Sequence, residues 1–129
     1  MIAPKSTLNK SVSDRYLKLD QKGQCIATYI WVDGSGENLR SKAKWLSNEP
    51  KSIDELPVWN FDGSSTGQAS GHNSDTYIKP IAIFPDPFLL GTNILVLCDV
   101  YDFEGKPVSK LNKLLLFLHF IFFLLVTRN

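Results

Sequence analysis

Between residues 6 and 19 (STLNKSVSDRYLKL), apolar Leu8, Val12, Tyr16 and Leu19 recur at near-helical spacing among polar neighbours. That spacing predicts a short amphipathic helix, ended by Gln21-Lys22-Gly23. The period then changes. CIATYIWV (25–32) is rich in β-branched and aromatic residues and predicts a strand. DGSGEN (33–38) supplies turn residues, and LRSKAKWL (39–46) alternates strictly. Leu39, Ser41, Ala43 and Trp45 share one face of that strand, and Arg40, Lys42 and Lys44 share the other, so 25–46 reads as a hairpin. Residues 55–69 (ELPVWNFDGSSTGQA) read as a loop rich in small polar groups. TYIKPIAIF (76–84) is a strand broken by Pro80, which donates no ladder hydrogen bond and belongs at an edge or a bulge. PDPF (85–88) is a turn, and NILVLCDVY (93–101) has the continuous apolar character of a central strand. One helix followed by about four strands, without regular helical crossovers, predicts an α+β fold with a mixed or antiparallel sheet.

The C-terminal stretch follows neither period. LLLFLHFIFFLLV (114–126) holds twelve apolar residues and one histidine. As a helix it would span about 20 Å, against roughly 30 Å of bilayer hydrocarbon, and it has no polar face. A packed core helix would need polar positions that it lacks, and a membrane anchor would be short. A segment not selected to fold in this context, such as a translated intron, fits the pattern best. The organisation expected is therefore an N-terminal segment with the helix (1–24), a folded domain (25–112) and an apolar tail (113–129).

Composition narrows the function classes. A chain of 129 residues, 43% hydrophobic with a formal net charge of +1, suits one globular domain with a modest core. Near-neutral charge lacks the electrostatic footprint of a nucleic-acid binder. The polar N-terminus, MIAPKSTLNKSVSD, has no apolar signal region, so the expected location is the cytoplasm and no membrane association is expected. Cys25 and Cys98 lie in apolar runs and read as buried small hydrophobes. Without a C-x-x-C pair, and with His72 and His119 far apart, no metal site is expected. Asn9-Lys10-Ser11 fits a glycosylation pattern that means little without a secretory signal. The Arg40/Lys42/Lys44 row reads as a solvated strand face that discourages edge pairing, with anion binding as the alternative.

Candidate chemistry concentrates in the 55–69 loop. Asp62 is the only ionisable group between Glu55 and His72. No lysine follows the glycines in the G-K-[ST] arrangement of a phosphate loop, DGSGENL does not fit a calcium loop, and there is no G-x-S-x-G. No self-contained catalytic constellation is present. From the residues alone, Asp62 and Ser64 read as caps of backbone amides in a tight turn.

Three longer stretches carry a resemblance: YIWVDGSGENLRSKAKWL, ELPVWNFDGSSTGQASGHNSD and AIFPDPFLLGTNILVLCDVYDFEGKP. They resemble the N-terminal domain of eukaryotic glutamine synthetases, most closely the fungal and plant type, from about Tyr16 to Asn112. The resemblance implies a β-grasp domain over 25–112. It also implies an enzyme that joins ammonium to glutamate at the expense of ATP, with magnesium or manganese, through a γ-glutamyl phosphate. In that family the domain packs against the catalytic domain of a neighbouring subunit in a ring, and its D-G-S-S loop completes the neighbour's active site. By the match, Asp62 is catalytic and binds ammonium together with Ser65. Gly63 would permit the tight backbone, and Trp59 would brace the loop.

The departures from the family pattern shape the rest of the expectation. Leu89-Leu90 stand where the family usually has basic residues, and the resemblance ends near Lys113. The family's metal, nucleotide and glutamate ligands lie in a catalytic domain that these residues do not include. The chain is thus expected to bind no cofactor itself and to be inactive alone. Two readings of other classes remain open: a non-catalytic module that docks onto full-length glutamine synthetase subunits, and a small tail-anchored protein.

Overall fold

The computed structural model describes residues 9–108. The start of the expected helix with Leu8, and the apolar tail, lie outside the described residues.

Within them the helix, α1, spans Lys10–Leu17, shorter than the 6–19 expected from the sequence. Asn9 sets its beginning: the side-chain oxygen accepts from the Ser11 amide at 3.0 Å and the Ser11 hydroxyl at 2.8 Å, an N-cap. No residue of α1 is buried, with Val12 42% and Tyr16 67% exposed. Eight residues with three apolar positions offer too narrow a stripe to seat the helix firmly on the sheet.

Five strands follow: β1 (Cys25–Val32), β2 (Leu39–Leu46), β3 (Trp59–Asp62), β4 (Asp75–Pro85) and β5 (Ile94–Tyr101). They form one sheet in the order β2-β1-β5-β4-β3. The β1–β5 pair is parallel and the others antiparallel, so the sheet is mixed and the fold α+β, as the sequence indicated. β5 is central. β4 is an interior strand, and it accommodates Pro80 through a register shift between Pro80 and Ala82, the bulge option of the two expected. β3 is a strand inside what the sequence presented as loop. Its four residues are too few to show a period, and pairing with β4 from Trp59↔Ile78 to Asp62↔Asp75 defines it.

The main hydrophobic cluster lies on one face of the sheet, with Leu95 and Leu97 of β5 buried on the other. Cys25, Ala27, Tyr29 and Trp31 of β1 meet Ile94, Val96 and Cys98 of β5, Ile78 of β4 and Leu56 of the β2–β3 connection, with Trp59 and Phe61 packed against them. Both cysteines are free and buried. Burial pushes the Cys98 thiol up to about 12 and also raises that of Cys25.

β2 corrects the expectation of a solvated basic row. The register Tyr29↔Lys42 and Ala27↔Lys44 puts the lysines on the core side. Lys42 and Lys44 are half-buried there, their ammonium groups 3.6 and 4.9 Å from the centroid of the Trp59 ring. The aliphatic stems cover apolar surface while the charges rest on an indole face. Leu39 and Trp45 face outward instead, Trp45 59% exposed. Lys42 Nζ also donates to the Asn60 carbonyl at 2.9 Å. Since β2 and β3 are opposite edges of the sheet, this contact requires the sheet to curl until its edges approach.

Candidate functional site

β3 delivers the Asp62 turn, and aromatic packing fixes β3. Trp59 meets Tyr29 edge-on with ring centroids 5.6 Å apart, and Phe61 lies 4.5 Å from Trp31. The Tyr29 hydroxyl donates to the Pro57 carbonyl at 2.9 Å, tying down the approach to the strand. Because side chains alternate along a strand, Trp59 and Phe61 face the core and Asn60 and Asp62 face the other way. Trp59 therefore holds the strand and makes no direct contact with the carboxylate's side of it.

Asp62 caps a 3-10 turn over Gly63–Thr66. Its Oδ1 accepts from the Ser64 amide at 3.0 Å and the Ser64 hydroxyl at 2.6 Å. These contacts, the hydroxyl foremost, hold the carboxyl below the ordinary aspartate range against desolvation, with a lesser contribution from the Ser74 side chain. The carboxylate is exposed and ionised at neutral pH. Ser65 sits in the same turn, but its hydroxyl donates to the Asp62 carbonyl at 2.7 Å, a backbone contact.

Gly63 has an ordinary backbone conformation and is buried. A Cβ there would stand 2.0 Å from Thr76 Oγ1 and 2.9 Å from Ala69 Cβ. Its amide donates to the Ser74 carbonyl at 2.7 Å, and its carbonyl accepts from the amides of Gln68 and Ala69. The turn closes at Gly67, whose φ of 70° is left-handed.

A second set of contacts comes from the β1–β2 hairpin. The Gly34 amide donates to the Thr66 carbonyl at 2.8 Å, and Gln68 Nε2 donates to the Val32 carbonyl at 3.0 Å. The structure thus brings Asp62, Gly63 and Ser65 into one turn and places Trp59 beneath the strand that carries it. Ser64, Thr66, Gln68, Gly34 and Lys42 complete the site, and the sequence marks none of them as a site residue, Ser64 only as a cap. The D-x-S spacing of an Asx turn signals Ser64. The other four act across long sequence separations that no local pattern reveals.

Among the described residues, no group of three or more His, Cys, Asp or Glu side chains is arranged to hold a metal ion. What the turn offers is one exposed carboxylate, rigidly mounted. Such a group holds a small cation by charge-assisted hydrogen bonds. A lowered pKa makes it a weaker proton acceptor than an ordinary aspartate.

Residues 23–103 match the family described as glutamine synthetase, beta-grasp domain. The glutamine synthetase of Panulirus argus is 62% identical over 102 residues, 78% of this chain and 28% of that one. Drosophila melanogaster glutamine synthetase 2 cytoplasmic is 54% identical over 108 residues, 83% and 29% of the two chains. The Saccharomyces cerevisiae glutamine synthetase is 53% identical over 111 residues, 86% and 30%. Animal sequences thus stand beside fungal ones, and the chain spans under a third of these relatives' length. The matched span contains all five strands and the Asp62 turn, and the chain belongs to the glutamine synthetase family and carries its β-grasp domain.

Proposed function

We propose that this domain supplies the ammonium-site loop of a glutamine synthetase, acting on the catalytic domain of a neighbouring subunit in a cytoplasmic ring. The observation that carries the reading is the mounting of Asp62: exposed, ionised, and held by Ser64 on a turn fastened to the sheet. Asp62 would hold ammonium by charge, with Ser65 as a neutral neighbour. Packing against a partner subunit would remove water from the carboxylate and strengthen that contact. Ammonium held in this way would then give up a proton and attack an activated glutamate.

ATP and magnesium or manganese belong to the catalytic half of such an enzyme. Where bound there, they would activate the glutamate carboxyl by phosphoryl transfer. Among the described residues no group of three or more His, Cys, Asp or Glu side chains fits a metal; the role proposed for this domain, to bind and orient the nitrogen donor, rests on the Asp62 turn.

The test joins residues 1–112 to the catalytic half of a relative and compares Asp62 with Asp62→Asn. Hydrogen bonds to charged groups contribute about 1.5–3 kcal/mol, so the KM for ammonium should rise at least roughly tenfold. The KM values for glutamate and ATP should hold. A uniform loss across all three substrates, or none, would contradict the reading.

A further inference from the structure

We infer that the β1–β2 hairpin is a clasp that positions the Asp62 turn, with Gly34 and Lys42 as its positioning residues. The inference rests on the reading above for what the turn is used for, but the clasp itself is a matter of geometry.

Gly34 is the tighter of the two contacts. Its amide donates to the Thr66 carbonyl, and a Cβ at Gly34 would lie 2.2 Å from the Gly67 carbonyl oxygen, 2.5 Å from its carbon and 2.9 Å from the Thr66 oxygen. All three are backbone atoms of the turn that Asp62 caps. They cannot rotate away as a side chain would, so any side chain at 34 displaces the turn itself. Gly34 is therefore held to glycine by close approach of two backbones, 33 residues apart in sequence.

The hairpin end that carries Gly34 is itself rigid. Asp33 is buried, and its Oδ1 accepts from the Ser35 amide at 3.0 Å and from the Ser35 hydroxyl. Its Oδ2 is 3.3 Å from Arg40 across the hairpin, and its amide donates to the Asn38 carbonyl at 2.9 Å. The second contact lies farther along β2, where Lys42 Nζ donates to the Asn60 carbonyl two residues before Asp62. One hairpin thus grips the opposite edge of the sheet on both sides of the carboxylate, at Asn60 and at Thr66. Neighbouring strands β4 and β3 alone would leave the 63–67 turn held from one side.

The test uses the isotopically labelled full chain and follows two local signals by NMR: the titration of the Asp62 carboxyl and the hydrogen exchange of the Ser64 amide. Gly34→Ala should raise the Asp62 titration toward the ordinary aspartate range and speed Ser64 exchange at least tenfold, leaving the Ile78 and Val96 amides protected. Lys42→Met keeps an unbranched stem over Trp59 and removes the donor. It should move both signals in the same direction, and Lys42→Arg should restore them. A folded Gly34→Ala chain with both signals unchanged overturns the clasp. If Gly34→Ala does not fold, Lys42→Met decides by the same two signals. Neither signal involves ammonium. Full activity in an Asp62→Asn enzyme would thus refute the proposed function while leaving the clasp standing.

Discussion

Replacing Gly63 by alanine puts a methyl group into a space that is already filled, and the partner it strikes can be removed in turn. The new Cβ would stand 2.0 Å from Thr76 Oγ1, 3.1 Å from Thr76 Cβ and 2.9 Å from Ala69 Cβ. Thr76 is fully buried on β4, so it has no open direction in which to yield. Overpacking of this kind costs about 1–3 kcal/mol, and the severity of the clash points to the upper part of that range. Since Gly63 has no left-handed φ, the penalty is steric and not conformational. Thr76→Ala alone gives up the 3.2 Å hydrogen bond to the Ser74 carbonyl and a buried methyl, about 1–2 kcal/mol. In the double variant the worst clash is gone, and the two costs should fall short of additivity by about 1–2 kcal/mol. Urea unfolding of the four chains, followed by tryptophan fluorescence, measures this directly. Additive costs to within about 0.5 kcal/mol would refute steric contact with Thr76 as the reason for glycine at 63.

Other consequences concern the thiols, alkaline stability and catalysis. Cys25 and Cys98 should react with a thiol reagent at pH 8 only as fast as the chain opens, and both should react at once in denaturant; rapid modification of either in the folded state would contradict their burial. Tyr29 and Cys98 titrate higher in the folded chain than their ordinary values of 10.0 and 9.0, each at about 12. Their contribution is therefore complete below about pH 9 and is lost as pH rises toward about 12, and a Tyr29→Phe/Cys98→Ala chain should show a shallower alkaline loss of stability. An equal slope in both chains would count against it. The purified 129-residue chain should form no glutamine from glutamate, ammonium and ATP with magnesium or manganese, because phosphoryl transfer needs a positioned metal and the described residues hold no group of three or more His, Cys, Asp or Glu side chains arranged for one. Activity in contaminant-free protein would overturn that expectation.

β1 and β5 are legible for different reasons: the β-branched and aromatic run CIATYIWV alternates in burial along β1, and the continuous apolar run in NILVLCDVY is the central β5, buried on both faces over Ile94–Asp99. Pro80 signals an edge or a bulge because proline cannot donate to a ladder, and the register shift beside it is the bulge. β2 misled for a physical reason: alternation shows two faces but not which one meets the core. Pairing with β1 turned Lys42 and Lys44 inward, where Trp59 receives their charges. β3 was hidden by its length, and α1 is present but has no buried residue, because spacing says nothing about what lies opposite a helix. At the site, the Asp62–Ser64 cap is local and could be read from D-G-S. The contacts of Gly34 with Thr66 and of Lys42 with Asn60 exist only once the sheet has curled.

The claim that Asp62 acts across a subunit interface has a direct test in mixed rings. One subunit joins this domain carrying Asp62→Asn to an intact catalytic half; the other keeps Asp62 but has an inactivated catalytic half. By itself, at ammonium well below KM, the first is expected to lose at least roughly tenfold in rate and the second to be inactive. Co-assembled, they form interfaces in which an intact Asp62 turn faces an intact catalytic half, and ammonium-dependent glutamine formation should return in proportion to such interfaces. Mixed rings as inactive as either parent would show that Asp62 acts within its own chain or only as the cap of its turn.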